Sequence, residues 1–259
     1  MLTRNDLMSY KDATGFNLGQ IEKDYVQHLF LMNLYRRISD ELTFKGGTAL
    51  QKTYGLNRFS EDLDFTLTKN IKLAPIVDKA LTGMDLFGCE AAQKKIKEDK
   101  LSITFQVKAK GPLYEGSDKS LTYINLEVSK REDVLLPPVM NTVIPIYKDL
   151  PPYLLYTMNP PEIMAEKIRA ILVREKSRDI YDIYFLIKKG VKTSIDTINR
   201  KLSYYDRDFD EEGLFKALKR KEKIWKSELK QLVTAIPEFH EVERTIVTLD
   251  FLNASIPTI

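Results

Sequence analysis

Apolar and polar residues follow two rhythms along this chain, and the rhythm changes where one element should give way to the next. In "NLGQIEKDYVQHLFLMNLYRRISDEL", Ile21, Tyr25, Leu29, Met32 and Leu34 recur at roughly the three-and-four spacing of an amphipathic helix. "LTFKGG" predicts a short strand entering a glycine turn, and "TALQKTYGL" a helix closed near Gly55. "EDLDFTL" alternates as a strand does, and "IKLAPIVDKALTG" reads as helical. "LSITFQVKAK" and "LTYINLEVSK" alternate on either side of the turn-rich "GPLYEGSDK", which predicts a hairpin-like pair. "NTVIPIY" and "YLLYTM" are expected as short edge elements, because proline crowds both.

The rhythm turns helical again at "MNPPEIMAEKIRAILVREKSRDIYDIYFLIKKG". Asn159 suits an N-cap, Pro160 the first helical position, and Gly190 the close of the second half. From there to Ile259 the chain reads as helices with short loops, without internal repeats or low-complexity tracts. The pattern predicts an α+β domain over residues 1–150 and an α-helical domain over 151–259. The proline-rich "DLPPY" lies near the boundary.

Composition narrows the chemistry. A hydrophobic fraction of 43% and a charged fraction of 30% suit an ordinary soluble protein, and no run of eighteen apolar residues suggests a membrane span. The first fifteen residues lack the apolar core of a signal peptide. The single cysteine, Cys89, excludes a disulfide framework and a cysteine-rich zinc site. Two histidines, His28 and His240, are too few for a histidine-based centre, so any metal should be a hard cation held by carboxylates. The expected setting is a reducing cytoplasm. Net charge is only +3, but the stretch from Lys216 to Lys230 holds seven Lys or Arg against two Glu. Such a run is a solvated helix face or a phosphate-binding patch.

The most informative stretch is "FKGGTALQKTYGLNRFSEDLDFTL". On a strand, Ser60, Asp62 and Asp64 share one face. Two neighbouring carboxylates repel unless a cation lies between them, and magnesium (or manganese) with substrate phosphates is the natural partner. Gly46 and Gly47 allow backbone N–H groups to approach a phosphate, and a helix starting near Thr48 aims its positive end there. Glu127, in "YINLEVSK", is a candidate third carboxylate, as metal ligand or general base. If residues 160–190 form one continuous helix, Lys167, Arg174, Arg178 and Asp182 fall within roughly 80° of one another, with Asp179 further round. That face is either a stripe of salt bridges or a group in which Lys167 and Arg174 meet a triphosphate or base. In the second case Asp182 orients Lys167 or activates the acceptor.

These residues carry a family resemblance. "FKGGTALQKTYGLNRFSEDLDF" resembles the first motif of the AbiEii/AbiGii toxin family of the nucleotidyltransferase superfamily: GGT, a gap, then R-[FS]-S-x-D-x-D. The fixed positions are Gly46, Gly47, Thr48, Arg58, Ser60, Asp62 and Asp64. "INLEVSK" resembles the second motif, with Glu127 where an acid is expected. "EIMAEKIRAILVREKSRDIYDIYFL" resembles the third and fourth together, and "GFNLGQIEKDYV" the N-terminal region, so the likeness spans about Gly15 to Leu186. It implies a small mixed sheet flanked by helices, with a helical domain closing a cleft. It also implies the toxin half of a toxin–antitoxin or abortive-infection system, with a nucleoside triphosphate (NTP) as donor, the tRNA 3′ end as acceptor and an antitoxin as partner. By the same likeness Asp62 and Asp64 bind metal, and Ser60, Gly47 and Thr48 hold phosphates. Lys167 contacts the nucleotide, the remaining catalytic acid is Asp182 or Asp179, of which the helical angle favours Asp182, and Arg58, Arg174, Arg178 and Asp179 join the nucleotide-binding set. Rival readings are transfer to a small molecule or a protein, and a non-catalytic NTP- or RNA-binding protein.

Overall fold

Seven strands of one mixed sheet form the centre of the first of two units into which the computed structural model divides; residues 1–174 and 176–253 are described. The first unit comprises Met1–Gly55, Phe59–Asp133 and Pro138–Thr157, and the second Leu56–Arg58, Val134–Pro137 and the chain from Met158. The first opens with α1 (Arg4–Ser9), α2 (Lys11–Thr14) and the long α3 (Leu18–Tyr35). Then come β1 (Leu42–Lys45), α4 (Gly46–Tyr54), β2 (Leu63–Leu67), α5 (Leu73–Asp85), β3 (Ala91–Glu98) and β4 (Ser102–Ala109). β5 (Thr122–Ser129), β6 (Val139–Val143) and β7 (Tyr153–Thr157) complete it.

The sheet order is β3-β4-β5-β2-β1-β7-β6. β2 pairs in parallel with β5 and β1 in parallel with β7, while the other neighbours are antiparallel. The expected pair 101–110 and 121–130 is present as β4–β5, but β3 adds a strand outside it that the pattern did not predict. The reason is its exposure: "AAQKKIKE" buries no face, so it has no alternation to read. β6 is an edge strand as expected. β7 is not, because it lies between β1 and β6, and this carries the first unit past residue 150 to Thr157.

α3 is capped by a reciprocal pair, with Asn17 accepting from the Gln20 N–H and Gln20 from the Asn17 N–H. The helix was expected to be amphipathic, but from Ile21 to Leu34 all but Lys23 are buried. Its polar residues Asp24, Gln27, His28 and Asn33 therefore need partners inside the protein. The core around it takes Phe44 and Phe65 from the sheet centre, and Phe105, Val107, Ile124 and Leu126 from β4 and β5.

The second unit contains α6 (Pro160–Val173), α7 (Ser177–Lys188), β8 (Thr193–Ser194), α8 (Ile195–Ser203), α9 (Glu211–Glu222), α10 (Trp225–Leu229), α11 (Phe239–Val247) and β9 (Leu252–Asn253). It is helical as expected, save for the two-residue parallel ladder of β8 and β9. Asn159 does stand at the N-cap of α6 with Pro160 inside the first turn, and its carbonyl accepts from the N–H groups of Glu162 and Ile163. No helix among the described residues is long and apolar enough to cross a membrane.

Candidate active site

β2 begins at Leu63, so of the three polar residues only Asp64 lies within the strand; Ser60 and Asp62 belong to the segment before it. Register sets Asp64 between Lys45 of β1 and Glu127 of β5. Asn125 shares the face of Glu127 and donates from Nδ2 to Asp62 Oδ1 at 3.1 Å. Asp62, Asp64 and Glu127 therefore emerge on one side of the sheet. Asp62 and Asp64 are half-buried, Glu127 is exposed, and Lys45 is buried with its ammonium 4.0 Å from Glu132.

Side chains from the helices hold the main chain ahead of Asp64. Gln27 Nε2 donates to the carbonyls of Ser60 (3.0 Å) and Glu61 (2.8 Å). Gln51 Oε1 accepts from the Ser60 N–H at 3.0 Å, while its Nε2 donates to Asp24 at 2.8 Å. Thr48 donates its hydroxyl to the Asp62 carbonyl, so that proton is spent on positioning the acid loop. Behind this clamp Asp24 is paired with the buried Lys52. Burial alone would push Asp24 up, but Lys52, with a hydrogen bond from the Tyr147 hydroxyl, holds its carboxyl below the usual range. Burial, reinforced by Lys52, pushes His28 down to about 3, so its imidazole is neutral.

The glycine pair opens a helix directly. α4 starts at Gly46, whose φ is +75°, a left-handed conformation that costs a side-chain-bearing residue free energy. A Cβ there would also collide with the carboxylate of Asp64, so glycine is required twice over. Gly47 is buried in the first turn, where helical N–H groups lack intrahelical acceptors and favour an anion.

In the second unit the expected continuous helix is interrupted. α6 ends at Val173, Arg174 is extended, and α7 begins at Ser177. The angular reading across residues 160–190 therefore does not apply, and packing of α7 on α6 assembles the charges instead. Lys167 Nζ lies 3.0 Å from Asp179 Oδ1 and 2.6 Å from Asp182 Oδ2. Arg58 donates through Nε and Nη2 to the two oxygens of Asp182 at 2.6 and 2.7 Å. Arg174 grips Asp179 in the same two-pronged way, at 2.9 Å for both bonds. Both aspartates are fully buried, which by itself would raise their pKa. Lys167 with Arg174 at Asp179, and Arg58 with Lys167 at Asp182, overcome burial and hold both carboxyls well below the usual range. Arg178 stands apart, half-exposed and without an ion pair among the described residues.

The expected residues thus fall into two sets: Gly46, Gly47, Thr48, Ser60, Asp62, Asp64 and Glu127 in the first unit, and Arg58, Lys167, Arg174, Asp179 and Asp182 in the second. Sequence reasoning missed Gln27, Gln51, Lys45 and Asn125. Asn125 was within reach, since the two-residue logic applied to Asp62 and Asp64 applies equally to "NLE". Gln27 and Gln51 carried no signal that set them apart from the other polar residues of α3 and α4.

The basic run is largely spent on structure. Lys221 is buried and donates to the Ile171 carbonyl at 3.0 Å, so it belongs to no binding patch. Lys216, Lys219 and Lys226 pair with Glu212, Glu243 and Glu238. Asp62 and Asp64 form the two-carboxylate donor set that suits magnesium together with substrate phosphates. Among the described residues no group of three His, Cys, Asp or Glu is arranged to hold a metal.

No curated protein matches the chain. Several solved structures share its fold. JHP933 from Helicobacter pylori aligns at a TM-score of 0.57 and 21% identity, over 90% of this chain and 91% of that one. MenT4, a nucleotidyltransferase toxin from Mycobacterium tuberculosis, aligns at 0.59 and 18%, over 97% and 89%. A putative nucleotidyltransferase from H. pylori aligns at 0.56 and 21%, over 88% and 91%. Residues 33–247 match the family described as nucleotidyl transferase AbiEii toxin, type IV TA system. With that match spanning most of its length, the chain belongs to the AbiEii family of nucleotidyltransferase toxins, whose type IV toxin–antitoxin systems imply an NTP substrate and an antitoxin partner.

Proposed function

We propose that this nucleotidyltransferase is metal-dependent and transfers a nucleoside monophosphate from an NTP to the 3′ hydroxyl of RNA, with the tRNA 3′ end as acceptor. The observation that carries this is the pairing of two half-buried carboxylates, Asp62 and Asp64, with the glycine-opened N-terminus of α4 on the adjacent strand. Gly46, Gly47 and Ser60 bind the phosphates, Thr48 and Gln27 hold the Asp62 segment, and Asp62 with Asp64 hold magnesium. A bound magnesium supplies positive charge that neutralises the transferring phosphoryl group and the leaving pyrophosphate. The acceptor oxygen bonds to the α-phosphorus while the bond to the bridging oxygen of pyrophosphate breaks. The exposed Glu127 accepts the hydroxyl proton. Within the second unit Asp182, with both oxygens taken by Arg58 and one also by Lys167, holds Lys167 in place rather than accepting a proton.

The test is incubation with magnesium, total RNA and each NTP labelled at its α-phosphate, read on a denaturing gel. A labelled band of tRNA size, made with one NTP and absent for Asp62→Ala, is the expected result. Undiminished labelling by Asp62→Ala would sink the mechanism, and label on a protein or small molecule alone would replace the acceptor.

A further inference from the structure

The sheet of the first unit has a donor side and an acceptor side. Along β1-β2-β5-β4-β3, the glycine turn lies at β1, Asp62 and Asp64 at β2, and Glu127 at β5. A triphosphate held at the glycine turn thus occupies the β1 side. Attack on its α-phosphorus in line with the leaving pyrophosphate brings the acceptor from the other side, over β5. The sheet continues there for two more strands, and its face is open.

Register shows what that face displays. One row runs from Asp62 to Asn125, then to Gln106, whose Nε2 is 3.5 Å from Asn125 Oδ1, and ends at Lys94 opposite Gln106. A second runs Asp64, Glu127, Thr104, Lys97. In a third, Lys108 stands opposite Tyr123 with its ammonium 5.7 Å from the ring centroid. All of these beyond the two aspartates are half-exposed or exposed, while Ile103, Phe105, Val107, Ile124, Leu126 and Val128 bury the reverse face in the core. Lys97 pairs with Asp99 at 2.7 Å, but Lys94 and Lys108 have no carboxylate partner among the described residues. Strands lie about 4.8 Å apart, so Lys94 is three strands, or roughly 14 Å, from β2.

We infer that this face is the acceptor track: the single-stranded 3′ segment of a nucleic acid lies across β5, β4 and β3, with a base on Tyr123 and phosphates at Lys94 and Lys108. Two unpaired cations match a polyanion, and the ring offers a base a stacking surface. The amides of Asn125 and Gln106 suit the exposed edges of unpaired bases. A protein partner would need an apolar centre, and these three rows contain no aliphatic side chain larger than Ala92. The inference rests on the reading of an RNA 3′ end as acceptor, and its test separates the two.

The test measures fluorescence anisotropy of an end-labelled single-stranded oligoribonucleotide, and of DNA of the same sequence, against the full chain over a range of salt. K94E/K108E should weaken binding at low salt at least about tenfold and reduce the log–log salt slope by about 1.4, near 0.7 for each phosphate no longer neutralised. Lys94→Gln with Lys108→Gln should do the same more mildly without adding charge. Tyr123→Ala should weaken binding about five- to a hundredfold and Tyr123→Phe much less, as removal of a stacking surface requires. NTP affinity and thermal midpoint should remain at wild-type values in all four. If the wild type binds RNA and these variants bind it equally well, the track is elsewhere and the acceptor reading stands. If polyglutamate binds as tightly as RNA and the variants lose both together, the face recognises bare negative charge, as an acidic protein would supply, and the assignment is overturned. A wild type that neither binds the oligonucleotide nor labels any RNA removes the acceptor reading itself, and the track with it.

Discussion

Asp62 and Asp64 of the first unit and Asp179 and Asp182 of the second are both close carboxylate pairs, and the protein treats them in opposite ways. The first pair is half-buried, on one face of a sheet beside a helix N-terminus. The second is fully buried, and Arg58, Lys167 and Arg174 engage its oxygens. A buried carboxylate already held by guanidinium and ammonium groups is stabilised as the anion and resists protonation. It contributes order instead, fixing the cations around it. The first pair is less buried, and a cation placed between its two carboxylates would relieve their mutual repulsion. Acidity in a motif therefore does not by itself define a role; burial and the cations packed against a buried carboxylate bear on it too.

The sharpest test of that contrast is stability. Asp182→Ala leaves Arg58 and Lys167 buried beside a missing charge and should cost about 3–5 kcal/mol, read as a fall in the urea midpoint. Asp62→Ala should change stability by less than about 1 kcal/mol, since it removes one half-exposed partner of Asn125. Equal losses in the two variants would erase the distinction. Next in size is the clamp on the acid loop. Gln27→Ala frees the carbonyls of Ser60 and Glu61 and should cost about 1–2 kcal/mol. It should also raise the magnesium concentration needed for half-maximal transfer more than the KM for NTP. A variant with an unchanged magnesium requirement would show that the clamp stabilises the unit without setting the site.

The smallest effect concerns pH. His28 is enclosed by Lys52, Asp24 and Tyr153, and its pKa falls from 6.5 to about 3 on folding. The unfolded chain therefore takes up the proton first. The stability tied to the neutral imidazole is complete above about pH 6.5 and is lost as pH falls toward 3. Thermal midpoints should drop across that window in the wild type and drop less in His28→Gln. The Asp179–Asp182 group, with depressed carboxyl pKa values, should begin to lose stability only as the pH falls into the ordinary aspartate range near 3.8, and go on losing it below.

Much of this was legible in the chain itself, for local reasons. Alternation marks β2, β4 and β5 because one face of each is buried, and the glycine pair marks the turn because only glycine tolerates the +75° φ of Gly46 beside Asp64. The spacing of Asp62, Asp64 and Asn125-x-Glu127 encodes face-sharing, since strand side chains repeat every two residues. What only the tertiary structure decided depends on contacts distant in sequence. β3 has no buried face to betray it, and β7 became an interior strand through pairing with β1. The break after Val173 removed the helical angles, yet packing brought Lys167 to both Asp179 and Asp182, and Arg58 to Asp182 from 124 positions away. Periodicity reports which way a side chain leaves its own element. Which charge meets it there is set by the packing of elements against one another, as Arg58 and Lys167 meet Asp182.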